Sequence, residues 1–261
     1  MSLIEAIILG IVQGLSEFLP VSSSGHLLVF HHLFGITTED NLTFIIALNL
    51  GSLLPLLIVF RTDIWALIRK PFQKTTALLL IATIPLVVVT LLFQEFIESM
   101  FHIIHFLPFG FIITGIALLL SDRVKENNKD IKALRFIDAV LIGIAQAFAV
   151  FPGISRSGST ITASLARGLN RENAARFSFL MSVPAAIGAV ALRVSHIASG
   201  RILIEDLNLV NLGAGFITAA VSGYLAINFM LSIVKKAKLK YFAFYYVFAL
   251  AIFVFLLFWW R

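Results

Sequence analysis

The sequence predicts an all-α, polytopic membrane helix bundle. It is expected to be an inverted repeat with two opposed re-entrant helix hairpins and about six full spans. Three observations predict this. The 261 residues are 59% hydrophobic and only 13% charged, with 25 Phe and a mean hydropathy of +0.98, where a soluble domain carries about 25% charged residues. Two stretches, GIVQGLSEFLPVSSSGH at 10–26 and GIAQAFAVFPGISRSGS at 143–159, align without gaps at an offset of 133, with seven of 17 positions identical. Roughly one match would be expected by chance, so this is an internal repeat. The Lys and Arg residues, finally, are concentrated in particular connections, which orients the chain.

The chain opens on the first copy. No basic region precedes it, and Glu5, Gln13 and Glu17 interrupt the apolar run, so this is not a cleavable signal peptide. Six apolar segments then follow, at approximately 41–60, 75–93, 106–121, 174–192, 208–233 and 241–260. Each approaches the length needed to cross about 30 Å of hydrocarbon, the third being short. Phe44 and Phe177 share the repeat offset. The repeats therefore extend over about 1–125 and 135–261 of a single membrane domain, 1–261.

Charge sets the topology. Connections 61–74, 121–135 and 235–240 are rich in Lys and Arg and belong in the cytoplasm. Residues 94–105 hold Glu95 and Glu98 with no Lys or Arg, 193–206 is balanced, and both belong outside. The spans alternate correctly only if 135–173, which contains the second copy, leaves the cytoplasm and returns. That segment reads as a helix over about 135–151, a break at Phe151, Pro152 and Gly153, and a short helix over about 158–168. The first copy must enter and leave from the outside, so the two hairpins dip in from opposite faces.

Each hairpin tip is polar. Ser22, Ser23 and Ser24 precede one short helix, and Ser155, Ser157 and Ser159 precede the other. Serine is a preferred N-cap, and a helix start offers free N–H groups and the positive dipole end to an anion. Two such ends near the midplane would form one anion pocket, as in transporters with broken helices.

Several residues could carry chemistry there. Gln13 and Glu17 are four apart and share a helix face, and a carboxylate inside an apolar span is functional by default. Ser23 and His26 are three apart, so they can meet on one turn, a hydroxyl beside an imidazole that suits nucleophile activation or proton delivery. Gly25 lies between the two in the chain and, with Ser22 and Ser24, completes the first tip. Arg156 replaces Ser23 in the second copy, beside Ser155, Ser157 and Thr160. Its guanidinium offers a fork matched to phosphate oxygens. This divergence of the two tips favours catalysis over symmetric transport.

Other features are weaker. His31 and His32 read as interfacial. His102 and His105 have HxxH spacing without a third ligand. With no cysteine in the chain, thiol catalysis, disulfides and thiolate metal sites are excluded. The net charge of +6 reflects orientation and anionic lipid rather than nucleic acid.

These tips resemble the undecaprenyl-pyrophosphate phosphatase family of integral membrane proteins, linked to bacitracin resistance. Gln13 and Glu17 match its (Glu/Gln)-x-x-x-Glu signature, and Pro20 through His26 match P-V-S-S-[ST]-G-H. Pro152, Gly153, Ser155, Arg156, Ser157 and Thr160 match P-G-x-S-R-S-x-x-T. Many members carry Glu where this chain has Gln13. The resemblance implies hydrolysis of a polyprenyl diphosphate lipid to the monophosphate plus phosphate, recycling the carrier for cell-wall synthesis. It also implies a divalent cation (Mg2+ or Ca2+) held by Glu17, and a site open to the outer side of the cytoplasmic membrane. Glu17, Ser23, His26 and Arg156 are the expected catalytic residues. Gln13, Ser22, Ser24, Gly25, Gly153, Ser155, Ser157 and Thr160 are expected to line the substrate. A homodimer is compatible with this assembly. A polyprenyl-phosphate flippase is the alternative, and a structural scaffold is a third class, opposed by the buried polar tips.

Overall fold

The computed structural model describes residues 1–36, 42–124, 128–199, 208–235 and 239–259. Half of the expected outer loop 193–206, residues 200–206, lies outside them, as do Lys236, Lys238 and residues 125–127. Among the described residues all extended regular structure is helical. The elements are α1 (Leu3–Phe18), α2 (Ser23–Phe34), α3 (Leu42–Val59), α4 (Arg61–Arg69), α5 (Lys74–Leu92) and α6 (Gln94–His102). They continue with α7 (Leu107–Ser121), α8 (Phe136–Phe148), α9 (Arg156–Ala166), α10 (Arg171–Ala198), α11 (Leu209–Val234) and α12 (Lys240–Trp259).

Four described stretches are long and apolar enough to cross a membrane: 74–92, 104–121, 171–192 and 209–234. The pair α3 and α4 adds a fifth if it counts as one span, bent by 81°. Leu80, Leu91, Leu92, Ile113, Leu225 and Phe248 are all at least half exposed along these elements and α12. So many bare apolar side chains on helix after helix fit contact with lipid, which is as apolar as they are.

The chain's own signals explain the element ends. Ser2 caps α1 through a capping box, its hydroxyl accepting from Glu5 N–H while the Glu5 carboxylate accepts from Ser2 N–H. Glu5 therefore serves the helix start. Pro20 follows α1 by two residues and cannot continue it. Asn170 caps α10 and Asn208 caps α11.

Packing depends on small residues. α1 lies along α11, and α8 lies along α5. At Gly10 an added Cβ would sit 2.6 Å from the Gly215 carbonyl oxygen, and at Gly143 one would sit 2.4 Å from the Ala82 carbonyl oxygen. Helices in lipid associate through such close backbone approach, because no hydrophobic drive separates them from the solvent. Phe18 and Phe60 both pack on Phe179 of α10, with centroids 5.8 Å and 6.0 Å away. Asp138, fully buried, ties the start of α8 to the end of α9. It accepts from Arg135 N–H at the start of α8 and pairs with Arg167, just past α9, at 2.7 Å.

The sequence expectations need three corrections. Residues 61–69 and 94–102 are helices, not loops. The helix expected at 158–168 starts at Arg156, and the first short helix starts at Ser23. Only Ser22 and Ser155 therefore precede their helices, while Ser23, Ser24, Ser157 and Ser159 lie in the first turn. A side chain that bonds the N–H three residues on defines the start, and Ser22 and Ser155 are the residues that do so.

Candidate active site

The helix ends at α1, α2 and α9 bring the polar tips together. Ser22 Oγ accepts from Gly25 N–H at 3.3 Å, and Ser155 Oγ accepts from Gly158 N–H at 3.1 Å. Each cap also touches a second serine, Ser22 with Ser24 at 3.3 Å and Ser155 with Ser157 at 3.2 Å. The bends are made differently. Gly153 supplies a φ of 86° in the second tip, while Ser22 itself takes a φ of 68° in the first. Non-glycine residues held in that region cost of order 1–3 kcal/mol and gather at functional sites.

Glu17, the last polar residue of α1, is the centre of the arrangement. Its Oε1 accepts from Arg156 Nη2 at 2.5 Å. Its Oε2 accepts from Ser23 Oγ at 2.6 Å and from Gln13 Nε2 at 3.2 Å. Ser157 Oγ donates to the Leu19 carbonyl at 2.9 Å, a second tie between the tips. Thr160 turns away from them, bonding the Arg156 carbonyl and Ser178.

His26 does not pair with Ser23. Its Nδ1 bonds the Ser22 carbonyl at 2.7 Å, and its Nε2 meets the Tyr245 hydroxyl at 2.5 Å. The three-residue spacing permitted the Ser23 contact, but Ser23 finds Glu17, a stronger acceptor, across the bend. His102 ends α6 and His105 sits in a short 3-10 turn. Among the described residues no group of three or more His, Cys, Asp or Glu could hold a metal ion.

Two cavities flank Glu17 and Arg156. One, of about 170 Å³, also takes in Ser23, Ser24 and Ser155. The other, of about 210 Å³, runs between α3 and α10 and is largely apolar, with Leu53, Leu86, Ala186 and Val190 in its wall. A charged centre therefore opens on a serine-lined pocket to one side and a greasy slot to the other.

A family model described as bacitracin resistance protein BacA matches residues 6–253. The chain belongs to this family. It is similar to the undecaprenyl-diphosphatase of Carboxydothermus hydrogenoformans, 44% identical over 245 residues that cover 94% of each chain. It is similar also to the undecaprenyl-diphosphatase of Halothermothrix orenii, 41% identical over 247 residues and again 94% of each. Undecaprenyl-diphosphatase 4 of Bacillus thuringiensis is 42% identical over 254 residues, 97% of this chain and 96% of that one. With its several apolar helices, this BacA-family chain is a multi-pass membrane protein.

The sequence reading of this BacA-family chain missed three residues at the site. Asn49 Oδ1 and Ser52 Oγ accept from Gln13 Nε2 at 3.2 Å and 3.3 Å, and Tyr245 holds His26. The only signal for the first two was a pair of polar residues inside the apolar segment 41–60. Tyr245, in a run of aromatics on α12, had none.

Proposed function

We propose that this chain hydrolyses undecaprenyl diphosphate, or a similar polyprenyl diphosphate, to the monophosphate plus phosphate. The observation that carries the reading is the convergence of Arg156 and Ser23 on the two oxygens of Glu17, beside two capped helix starts. The family and the printed names of its relatives support the same activity. The product is the carrier lipid needed again for cell-wall synthesis.

The tips are read as two opposed re-entrant hairpins of an inverted repeat, within one membrane domain of about six spans. Supporting this, the repeat-related residues Gly10 and Gly143 each make a close approach to a partner helix, and the repeat-related caps Ser22 and Ser155 bond Gly25 and Gly158 alike. Irregular backbone at that depth survives where it lines a wet cavity. The charge pattern opens the site to the outer side of the cytoplasmic membrane.

In the mechanism, Arg156 and the N–H groups at the starts of α2 and α9 clamp the diphosphate and offset charge that develops in the transition state. The isoprenoid tail leaves through the apolar slot between α3 and α10. Ser23 Oγ attacks the terminal phosphorus and passes its proton to Glu17. The bond to the bridging oxygen breaks, and the lipid monophosphate departs. Water then attacks the phosphoserine and gives a proton to His26, and the Oγ–P bond breaks as phosphate departs. Glu17 returns its proton to Ser23 Oγ, and His26 releases its proton to solvent. Direct attack by water with Glu17 as base is the variant of this scheme.

The oxygens near Glu17 are those of Ser23, which donates to it, and of Asn49 and Ser52, which accept from the neighbouring Gln13; among the described residues no cluster of three or more His, Cys, Asp or Glu stands there. That set fits a hard cation such as Mg2+ or Ca2+, which takes one carboxylate and completes its shell with waters and phosphate oxygens. Glu17 would hold it, and the bound ion would supply Lewis-acid charge to the phosphoryl group.

The test is phosphate release from undecaprenyl diphosphate by the purified protein in detergent, with and without chelator. Hydrolysis needs no sealed compartment, so release that falls with chelator is expected. Lipid transfer across sealed vesicles with no phosphate release in detergent would favour a flippase instead.

A further inference from the structure

His26 is enclosed by a closed set of rings. Its imidazole lies 5.7 Å from the Tyr245 ring at 19°, and 5.8 Å from Phe111 at 39°. Phe111 in turn meets Tyr246 at 5.4 Å, and Tyr246 meets Tyr245 at 6.3 Å. Tyr246 is 3% exposed and seats α12 against α7, whereas Tyr245 is 39% exposed. The rings come from α2, α7 and α12, so the assembly is specific to the folded chain.

The polar contacts fix the imidazole further. A carbonyl only accepts, so the Ser22 oxygen must take the proton on Nδ1. In the neutral ring Nε2 then carries the lone pair, and the Tyr245 hydroxyl donates to it.

We propose that Tyr245 is a positioning residue for His26, holding the imidazole in its Nδ1–H form and in one orientation for proton transfer. The proposal rests on the phosphatase reading for its consequence in turnover, though not for the contact. Nε2 takes the water's proton when the Tyr245 hydroxyl yields that lone pair to the water, and the protonated ring then donates Nε2–H back to Tyr245 Oη, since a hydroxyl both donates and accepts. Tyr245 thus supports His26 before and after it takes a proton, and no atom of Tyr245 joins the reaction.

The experiment compares Tyr245→Phe with the unaltered protein in detergent, on undecaprenyl diphosphate. The residue is partly exposed and the ring is retained, so the change deletes one hydroxyl without a cavity. Expected are a fall in kcat of about tenfold, the scale of one hydrogen bond, an unchanged KM, and a displaced limb of the pH–kcat profile. In a His26→Ala background the same change is expected to add no further loss. The 15N shifts of the His26 ring are expected to show Nδ1 protonated in the unaltered protein, with Nε2 moved in Tyr245→Phe. Unmoved ring shifts with unchanged kcat would overturn the proposal. Absence of phosphate release by the unaltered protein would remove the phosphatase reading, and the ring shifts would still decide the contact.

Discussion

Arg156 and Glu17, 139 residues apart in the chain, meet at 2.5 Å, each about a quarter or less exposed. The contact ties the start of α9 to the end of α1. Ser23 reaches the other oxygen of the same carboxylate at 2.6 Å, so one side chain links the cation that would bind phosphate to the hydroxyl that would attack it.

Glu17→Gln is expected to abolish most turnover. The amide keeps the shape but cannot accept the Ser23 proton, and loss of a positioned base costs roughly 10²–10⁴-fold. Phosphate release measures the effect. Because the ion pair is partly solvated, its contribution to stability is about 1 kcal/mol or less, so the unfolding midpoint in detergent should move little.

Arg156→Lys is expected to fail nearly as badly as Arg156→Ala. Lysine keeps the charge but loses the planar fork that holds two phosphate oxygens. Losing one such stabilising group costs on the order of 10²–10³-fold in kcat. Turnover near normal in Arg156→Lys would show that charge alone suffices and would remove the fork from the scheme.

Ser23 should carry a phosphoryl group that can be trapped. Acid quench during turnover of a substrate labelled in its terminal phosphate, followed by peptide mapping, is expected to place the label on Ser23 and not on Ser22 or Ser24. Turnover in Ser23→Ala, or 18O from water in phosphate with no labelled protein, would favour direct attack by water.

Gly143→Leu should destabilise the bundle, since even a Cβ would stand 2.4 Å from the Ala82 carbonyl oxygen. Forced overpacking costs typically about 1–3 kcal/mol. Gly188→Ala on α10 meets nothing within 4 Å and should leave the melt unchanged or raise it, alanine being the better helix former. Thermal unfolding of the two proteins in one detergent gives the comparison.

The apolar segments were legible because membrane crossing demands long runs of one composition, and α3, α5, α7, α10, α11 and α12 begin within a few residues of where those runs do. The polar tips were legible because Glu17, Ser23, His26 and Arg156 are costly in such runs and stand out. Helices α4 and α6 were hidden by their charges, which read as loop although an amphipathic turn at an interface carries the same residues. The sequence by itself determined which polar groups interrupt the apolar runs, because a polar group is costly to desolvate there and so stands out. Only the tertiary structure decided who bonds to whom. Spacing along α2 placed Ser23 and His26 within reach of each other, but Ser23 turned to Glu17 and His26 to Tyr245, 219 residues away. Hydrogen bonds follow the nearest well-oriented acceptor in space, and that is set by how α1, α2 and α12 pack, not by distance along the chain.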